Sequence, residues 1–173
     1  MHIMEQGGRS LIVFAGRSAM PYDSLLGQAA TMSKAGGSIR LLNVDLVFGM
    51  DHVRSAFQKA ARAFENGRNV SDSLATETML YMSGRRQIQE AVELFRLKGD
   101  GGEVVCLADV ATGKGDELAS ELSIAEDDAA LTELRTKDVN KFGVGRTEAG
   151  TVPHERIVDL VLERVASVDT KKK

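Results

Sequence analysis

"DHVRSAFQKAARAFENGRNVSDSLATETMLYMSGRRQIQEAVELFRLK", residues Asp51–Lys98, holds three helical patterns in succession and decides the fold. In the first, Val53, Phe57, Ala60, Ala61 and Phe64 recur at steps of three and four, which puts one apolar stripe along a helix that "NGRN" ends. Asp72 or Ser73 can cap the second, which runs through Leu74, Glu77 and Tyr81 to Gly84. The third runs from Arg85, with Ile88, Ala91, Val92 and Phe95 facing inward. A central run of three helices follows.

On its N-terminal side, "SLIVFAG" (Ser10–Gly16) is a short apolar run closed by glycine, as a buried strand would be. "PYDSLLGQAATMSKAGG" then offers Asp23 or Ser24 as a cap, helical spacing through Leu25, Leu26, Ala29, Ala30 and Met32, and a stop at Gly36-Gly37. "SIRLLNVDLVFG" reads as a second strand alternating at Ile39, Leu41 and Asn43, so a parallel right-handed crossover is expected between the two strands. On the C-terminal side come a glycine turn and third strand, "GDGGEVVCLADVA", then the shorter segments "DELASEL" and "DDAALTELRTKDVNKFGV". A last helix, "PHERIVDLVLERVASV", has Pro153 near its first turn and Ile157, Leu160, Val161 and Val165 on one side. The expected fold is α/β: a small mixed sheet largely covered by helices, in one domain spanning 1–173 with a flexible tail at 169–173.

With 173 residues, 43% of them hydrophobic, the chain can bury a real core. Its formal net charge of -3 supplies no global field to draw it onto polyanions, so any nucleic-acid contact must be a local patch. The single cysteine, Cys106, excludes an intramolecular disulfide and a cysteine-built zinc site, and an intracellular protein is expected. No apolar run approaches the roughly 20 residues of a membrane span, and "MHIMEQGGRS" lacks the apolar stretch of a signal peptide.

Signs of catalysis are weak. "ATGKGDE" (Ala111–Glu117) follows a predicted strand but has Ala108 where a Walker motif needs glycine and Gly115 where it needs a hydroxyl residue, so it reads as a turn. His2, His52 and His154 stand in separate regions without the i, i+4 spacing of a helical zinc site, so neither metal nor cofactor is expected. Glu126-Asp127-Asp128 precedes a helix start, where negative charge suits the macrodipole. Cys106 between Val105 and Leu107 is read as a small buried hydrophobe.

The residue types suit contact better than chemistry. Leu74, Met79, Leu80 and Met82 occupy several faces of the second helix, which fits either an apolar surface left for a partner or a helix buried all round; the pattern alone does not separate the two. Arg54, Lys59, Arg62, Arg68, Arg85 and Arg86 are concentrated in one stretch and allow a basic patch on an acidic protein.

A succession of features resembles the small kinase-binding subunit of the KEOPS complex, the family that includes TPRKB. These are His52 opening a helix; Ala56, Ala60 and Phe64; Gly67-Arg68-Asn69; Ser73-Leu74; Glu77; Leu80; Ser83-Gly84; Arg86-Gln87-Ile88; and "LVLERVA" (Leu160–Ala166). Phe95 followed by Arg96-Leu97 departs from the family's usual glycine and isoleucine. The resemblance implies a noncatalytic subunit that binds and activates an atypical kinase/ATPase, reaching the other KEOPS subunits through it, in a complex that places threonylcarbamoyl on tRNA adenosine. It also implies binding of the single-stranded tRNA 3′ CCA end. On this reading Leu74, Met79 and Met82 pack on the kinase. Arg62, Arg68, Arg85 and Arg86 neutralise tRNA phosphates, with Asn69 and Gln87 as amide partners to bases or sugars and Gly84 allowing close backbone approach. Glu77 is expected to be structural. A cytoplasmic location is implied, with a nuclear fraction in a eukaryotic cell. A free-standing RNA-binding module and a pure protein scaffold are the competing readings.

Overall fold

The computed structural model describes residues 1–110, 115–132 and 138–171. Two hairpin strands open the chain, β1 (His2–Gln6) and β2 (Arg9–Ser18), followed by α1 (Tyr22–Lys34) and β3 (Ser38–Asn43). Next comes the helical run α2 (Gly49–Glu65), α3 (Leu74–Met82) and α4 (Ile88–Leu94). After β4 (Glu103–Asp109) come α5 (Gly115–Glu121), β5 (Ile124–Glu126), the single turns α6 (Ala129–Thr132) and α7 (Arg146–Ala149), and α8 (Ile157–Ser167).

The sheet order is β1-β2-β4-β3, with β5 beside β1 on the outer edge of β2. Every pairing is antiparallel, which corrects the expected mixed sheet. β2 and β3 do run in the same direction, because both are antiparallel to β4, but β4 lies between them. Hydrophobic periodicity reports which residues are buried and carries no information about which strand is the neighbour. β1 and β5 are strands the sequence reading missed, although Gly7 and Gly8, both at positive φ, form the tight turn between β1 and β2.

β2 and β4 are buried on both faces, so alternate residues feed two cores. Leu11, Val13, Ala15, Val105 and Leu107 pack against α2, α3 and α8, while Ile12, Phe14, Val104, Cys106 and Ala108 pack against α1 and α5. Cys106 is fully buried and its thiol is pushed well above its usual range by desolvation, which makes it inert.

α3 lies at the centre of the first core. Leu74, Met79 and Met82 are 1%, 2% and 0% exposed, so the apolar face expected to meet a kinase is instead consumed inside the chain. Burial on all sides drives the polar groups of α3 to internal partners, and the Thr78 hydroxyl is its one buried side-chain group left without one among the described residues. Ser73 caps its start by accepting from the Thr76 N–H, and Asp109 at the end of β4 accepts from the Leu74 N–H at 2.8 Å. At its end, the Phe48 N–H donates to His52 Nδ1 at 3.2 Å, which fixes the ring proton on Nε2, 2.8 Å from the Met82 carbonyl. In the middle, Glu77 is 1% exposed, and one carboxylate oxygen accepts from both the Val70 and Ser71 N–H groups at 3.0 and 2.8 Å.

α4 begins at Ile88, three residues after the expected start, because Gly84 at φ +65 breaks the chain direction. At the start of the segment expected to be a tail, Asp169 accepts the Tyr81 hydroxyl at 2.6 Å and lies 3.7 Å from Lys59 Nζ, and residues 172–173 lie outside the described residues. The loop-like run 111–114 lies outside the described residues.

Desolvation raises the Glu77 pKa above its ordinary 4.5, outweighing the two N–H donors that pull it down. A raised acid pKa means the folded state holds the proton more tightly. This contribution to stability is therefore complete below pH 4.5 and is lost as pH rises through the folded-state value. Urea unfolding across pH 4 to 8 should show this decline, and Glu77→Gln, which keeps an acceptor for both N–H groups, should remove it. Glu77→Ala should cost about 2–3 kcal/mol by stranding both donors.

Candidate functional site

α2 carries Lys59 and Arg62 and is capped at its C-terminus by Asn66, and these steps of three and four align them on one face of the helix. Beyond its end the chain turns so that Arg68 joins them, its N–H bonded to the Ala63 carbonyl at 2.7 Å. These residues, with Ala63, Tyr81 and Asp169, line a cleft of about 190 Å³. Three cations face one carboxylate there. That carboxylate is already engaged by the Tyr81 hydroxyl and Lys59, and the Tyr81 pKa is raised far above its usual value by burial and by donation to Asp169.

Arg62 and Arg68 differ from the other basic residues of the stretch. Arg54 is paired with Asp51 at 3.0 Å, and Arg85 donates to the Lys141 carbonyl at 3.0 Å. Arg62 donates from Nε to Gln58 of its own helix, and neither Arg62 nor Arg68 has an ion pair among the described residues. Both are exposed. Two guanidinium groups on the wall of one cleft can take an anion, and their planar forks match phosphate oxygens.

The remaining expected residues sit elsewhere. Asn69 is half-buried and its amide donates to the Ser71 carbonyl at 3.1 Å, so it holds the 67–73 loop that Glu77 also fastens. Arg85, Arg86 and Gln87 are exposed on the segment between α3 and α4, and Gln87 is the N-cap residue of α4 without a side-chain capping bond. The segment between α3 and α4 and the cleft both adjoin the end of α3, where Tyr81 walls the cleft and Ser83-Gly84 starts the segment.

Gly84 does not offer its backbone to a ligand in the expected way. Its N–H donates to the Tyr81 carbonyl and that of Arg85 to Ser83 Oγ, and a side chain at Gly84 would press on Arg164 Cβ of α8 at 3.2 Å. The glycine serves helix packing. Arg164 is itself held by both carboxylate oxygens of Glu148, at 2.6 and 2.8 Å.

Asn66, Tyr81 and Asp169 were not legible as site residues. The i, i+4 relation of Arg62 to Asn66 could have found the first; Tyr81 and Asp169 enter only through the packing of the chain's end on α3. Among the described residues no group of three or more His, Cys, Asp or Glu is placed to hold a metal ion, and no helix is long and apolar enough to cross a membrane.

The family model described as "Kinase binding protein CGI-121" matches residues 24–169, from α1 through α8. No individual curated protein matches the chain significantly. A match over this span covers β3, β4, all three central helices and the basic cleft, and on that ground the chain belongs to the CGI-121 kinase binding protein family.

Proposed function

We propose that the chain is a noncatalytic subunit of a KEOPS-type tRNA threonylcarbamoyladenosine-modification complex. In it the chain binds and activates the atypical kinase/ATPase subunit, reaches the other subunits through that kinase, and holds the 3′ CCA end of tRNA. Membership of a kinase binding family supports the first contact. The observation that carries the second is the convergence of Arg62 and Arg68, both without ion pairs among the described residues, on the cleft beside Lys59 and Asn66.

A single-stranded end is bound by combining backbone charge neutralisation with polar contacts to bases and sugars. The cleft offers the charges, and Asn66, whose Nδ2 donates to the Arg62 carbonyl at 2.7 Å, offers its amide oxygen as an acceptor in the same wall. Arg85, Arg86 and Gln87, exposed at the end of α3, extend the surface that the strand would follow. On a chain of net charge -3, attraction is local, so binding should be selective for an end that enters the cleft over duplex RNA lying across the surface.

Titration against intact tRNA and the same tRNA lacking its terminal CCA should show binding of the first and its loss with the second; equal binding would refute the 3′-end role. With three or four phosphates neutralised, affinity for intact tRNA should fall with salt at a logarithmic slope of about -2 to -3. Replacing both Arg62 and Arg68 by alanine should make that slope shallower by about 1.4, at roughly 0.7 per phosphate contact. A slope unchanged in the double variant would remove the cleft from the RNA surface.

The burial of α3 gives a second expectation. Met82→Ala should destabilise the fold by about 2–5 kcal/mol through the cavity it leaves, while affinity for the purified kinase subunit, measured at a temperature where the variant is folded, stays unchanged. A selective loss of kinase affinity in the folded variant would restore Met82 to the interface.

A further inference from the structure

β3 ends the sheet, so one of its edges has no neighbouring strand among the described residues. Along that edge runs a groove of about 400 Å³ walled by α1 on one side and by α4 and the residues after it on the other. Its floor is Ile39, Leu41 and Met79. Leu26 on α1 and Val92 on α4, 44% and 46% exposed, stand at its two lips. These are two of the four large hydrophobic residues most open to solvent among the described residues.

The backbone of β3 selects what can enter. In an antiparallel strand alternate residues point their N–H and C=O to the same edge. The Ile39 N–H donates to Ser33 Oγ and the Asn43 N–H to the Phe95 carbonyl, both at 3.0 Å, which identifies Ile39, Leu41 and Asn43 as the residues facing outward. The two ends of the edge are therefore closed by the chain's own groups. Leu41, between them, presents a donor and an acceptor to the groove.

Arg40 supplies the remaining constraint. It lines the same groove on the face of β3 opposite to Leu41, half-buried, with Nε donating to Thr76 Oγ1 at 2.9 Å and no carboxylate paired with it among the described residues. Its burial, which lowers its pKa, is not offset by an opposite charge. A carboxylate delivered into the groove would offset it.

We propose that this groove docks an extended peptide segment of a partner protein in which an apolar residue is followed or preceded directly by a carboxylate. The apolar residue pairs with the backbone of Leu41 and, as a cross-strand neighbour, lies on the same face, against Leu41 and Leu26. The adjacent residue points to the other face, where Arg40, Met79 and Val92 stand. The backbone pair gives the contact its strand geometry, and Arg40 gives it selectivity for acidic over neutral or basic segments. Because both ends of the edge are closed, the segment engages one residue in register rather than zipping into a longer ladder, which also limits edge-to-edge aggregation.

The test uses the full-length protein, isotopically labelled, and the N-acetylated peptide amide Thr-Leu-Glu-Ile-Thr beside the same peptide with Gln for Glu. The acidic peptide should shift the Leu41 amide and the Arg40 Nε–H resonance saturably and bind at least five times tighter than the Gln peptide. Arg40→Gln should abolish that preference while the Leu41 shift persists. Val92→Asp, a change at an exposed lip position that leaves the core intact, should abolish binding of the acidic peptide by repulsion. Equal affinity for the two peptides, or shifts that spare Leu41, would overturn the proposal.

Discussion

A helix enclosed on every side must satisfy its polar groups from within the protein, and in this fold that constraint falls on α3. Its first N–H is taken by Asp109 of β4, its last turn by the Nε2–H of His52 from α2, and its central carboxylate by the backbone of the loop that precedes it. Each of these bonds joins α3 to a different part of the chain. The 67–73 loop, the end of β4 and the start of α2 are consequently placed by one element, and unfastening α3 would release all three. Leaving a buried polar group unpaired costs more than the net worth of the bond itself, and the bonds made by Thr76 and Glu77 hold that cost down in a central helix whose Thr78 hydroxyl is left without a partner among the described residues.

The same helix builds both surfaces argued above. Met79 lies under the groove along β3 and Tyr81 walls the basic cleft. Two positions apart on a helix is a rotation of about 200°, so the two side chains leave α3 in nearly opposite directions. The proposed function, which asks the chain to hold a protein partner and an RNA end at once, gains from this arrangement. The spacing between the surfaces is set by one packed helix and does not depend on a hinge between domains.

How much of this could be read from the sequence depends on whether a feature is local. The α2 stripe, a cap at Asp72 or Ser73 that Ser73 supplies, the structural role of Glu77 and the burial of Cys106 are carried by spacing and residue type, and they appear where the pattern puts them. Strand neighbours are set by long-range pairing that a single sequence does not encode in any window, so the antiparallel order was not foreseen. For α3 the pattern showed apolar residues on several faces but not whether water or protein would cover them. The answer came from the sheet behind it and α2 and α4 beside it. Half of the basic cleft was local, through Lys59, Arg62 and Arg68; the Tyr81–Asp169 wall required the chain's end to fold back 88 residues onto α3.

That fold-back also bears on how the cleft is maintained. Asp169 has two partners of opposite kind: a neutral hydroxyl that donates at 2.6 Å and an ammonium at 3.7 Å. The short bond from buried Tyr81 is the stronger anchor, because donation to an ionised acceptor roughly doubles the strength of a hydrogen bond, whereas a longer, half-exposed ion pair contributes little. The carboxylate is thereby turned toward Tyr81, and the neighbouring guanidinium groups of Arg62 and Arg68 are not neutralised by it within ion-pair distance. An anion arriving from outside consequently competes only weakly with Asp169. Asp169 closes the wall of the cleft while the positive charge of Arg62 and Arg68 on it is left without an ion pair among the described residues.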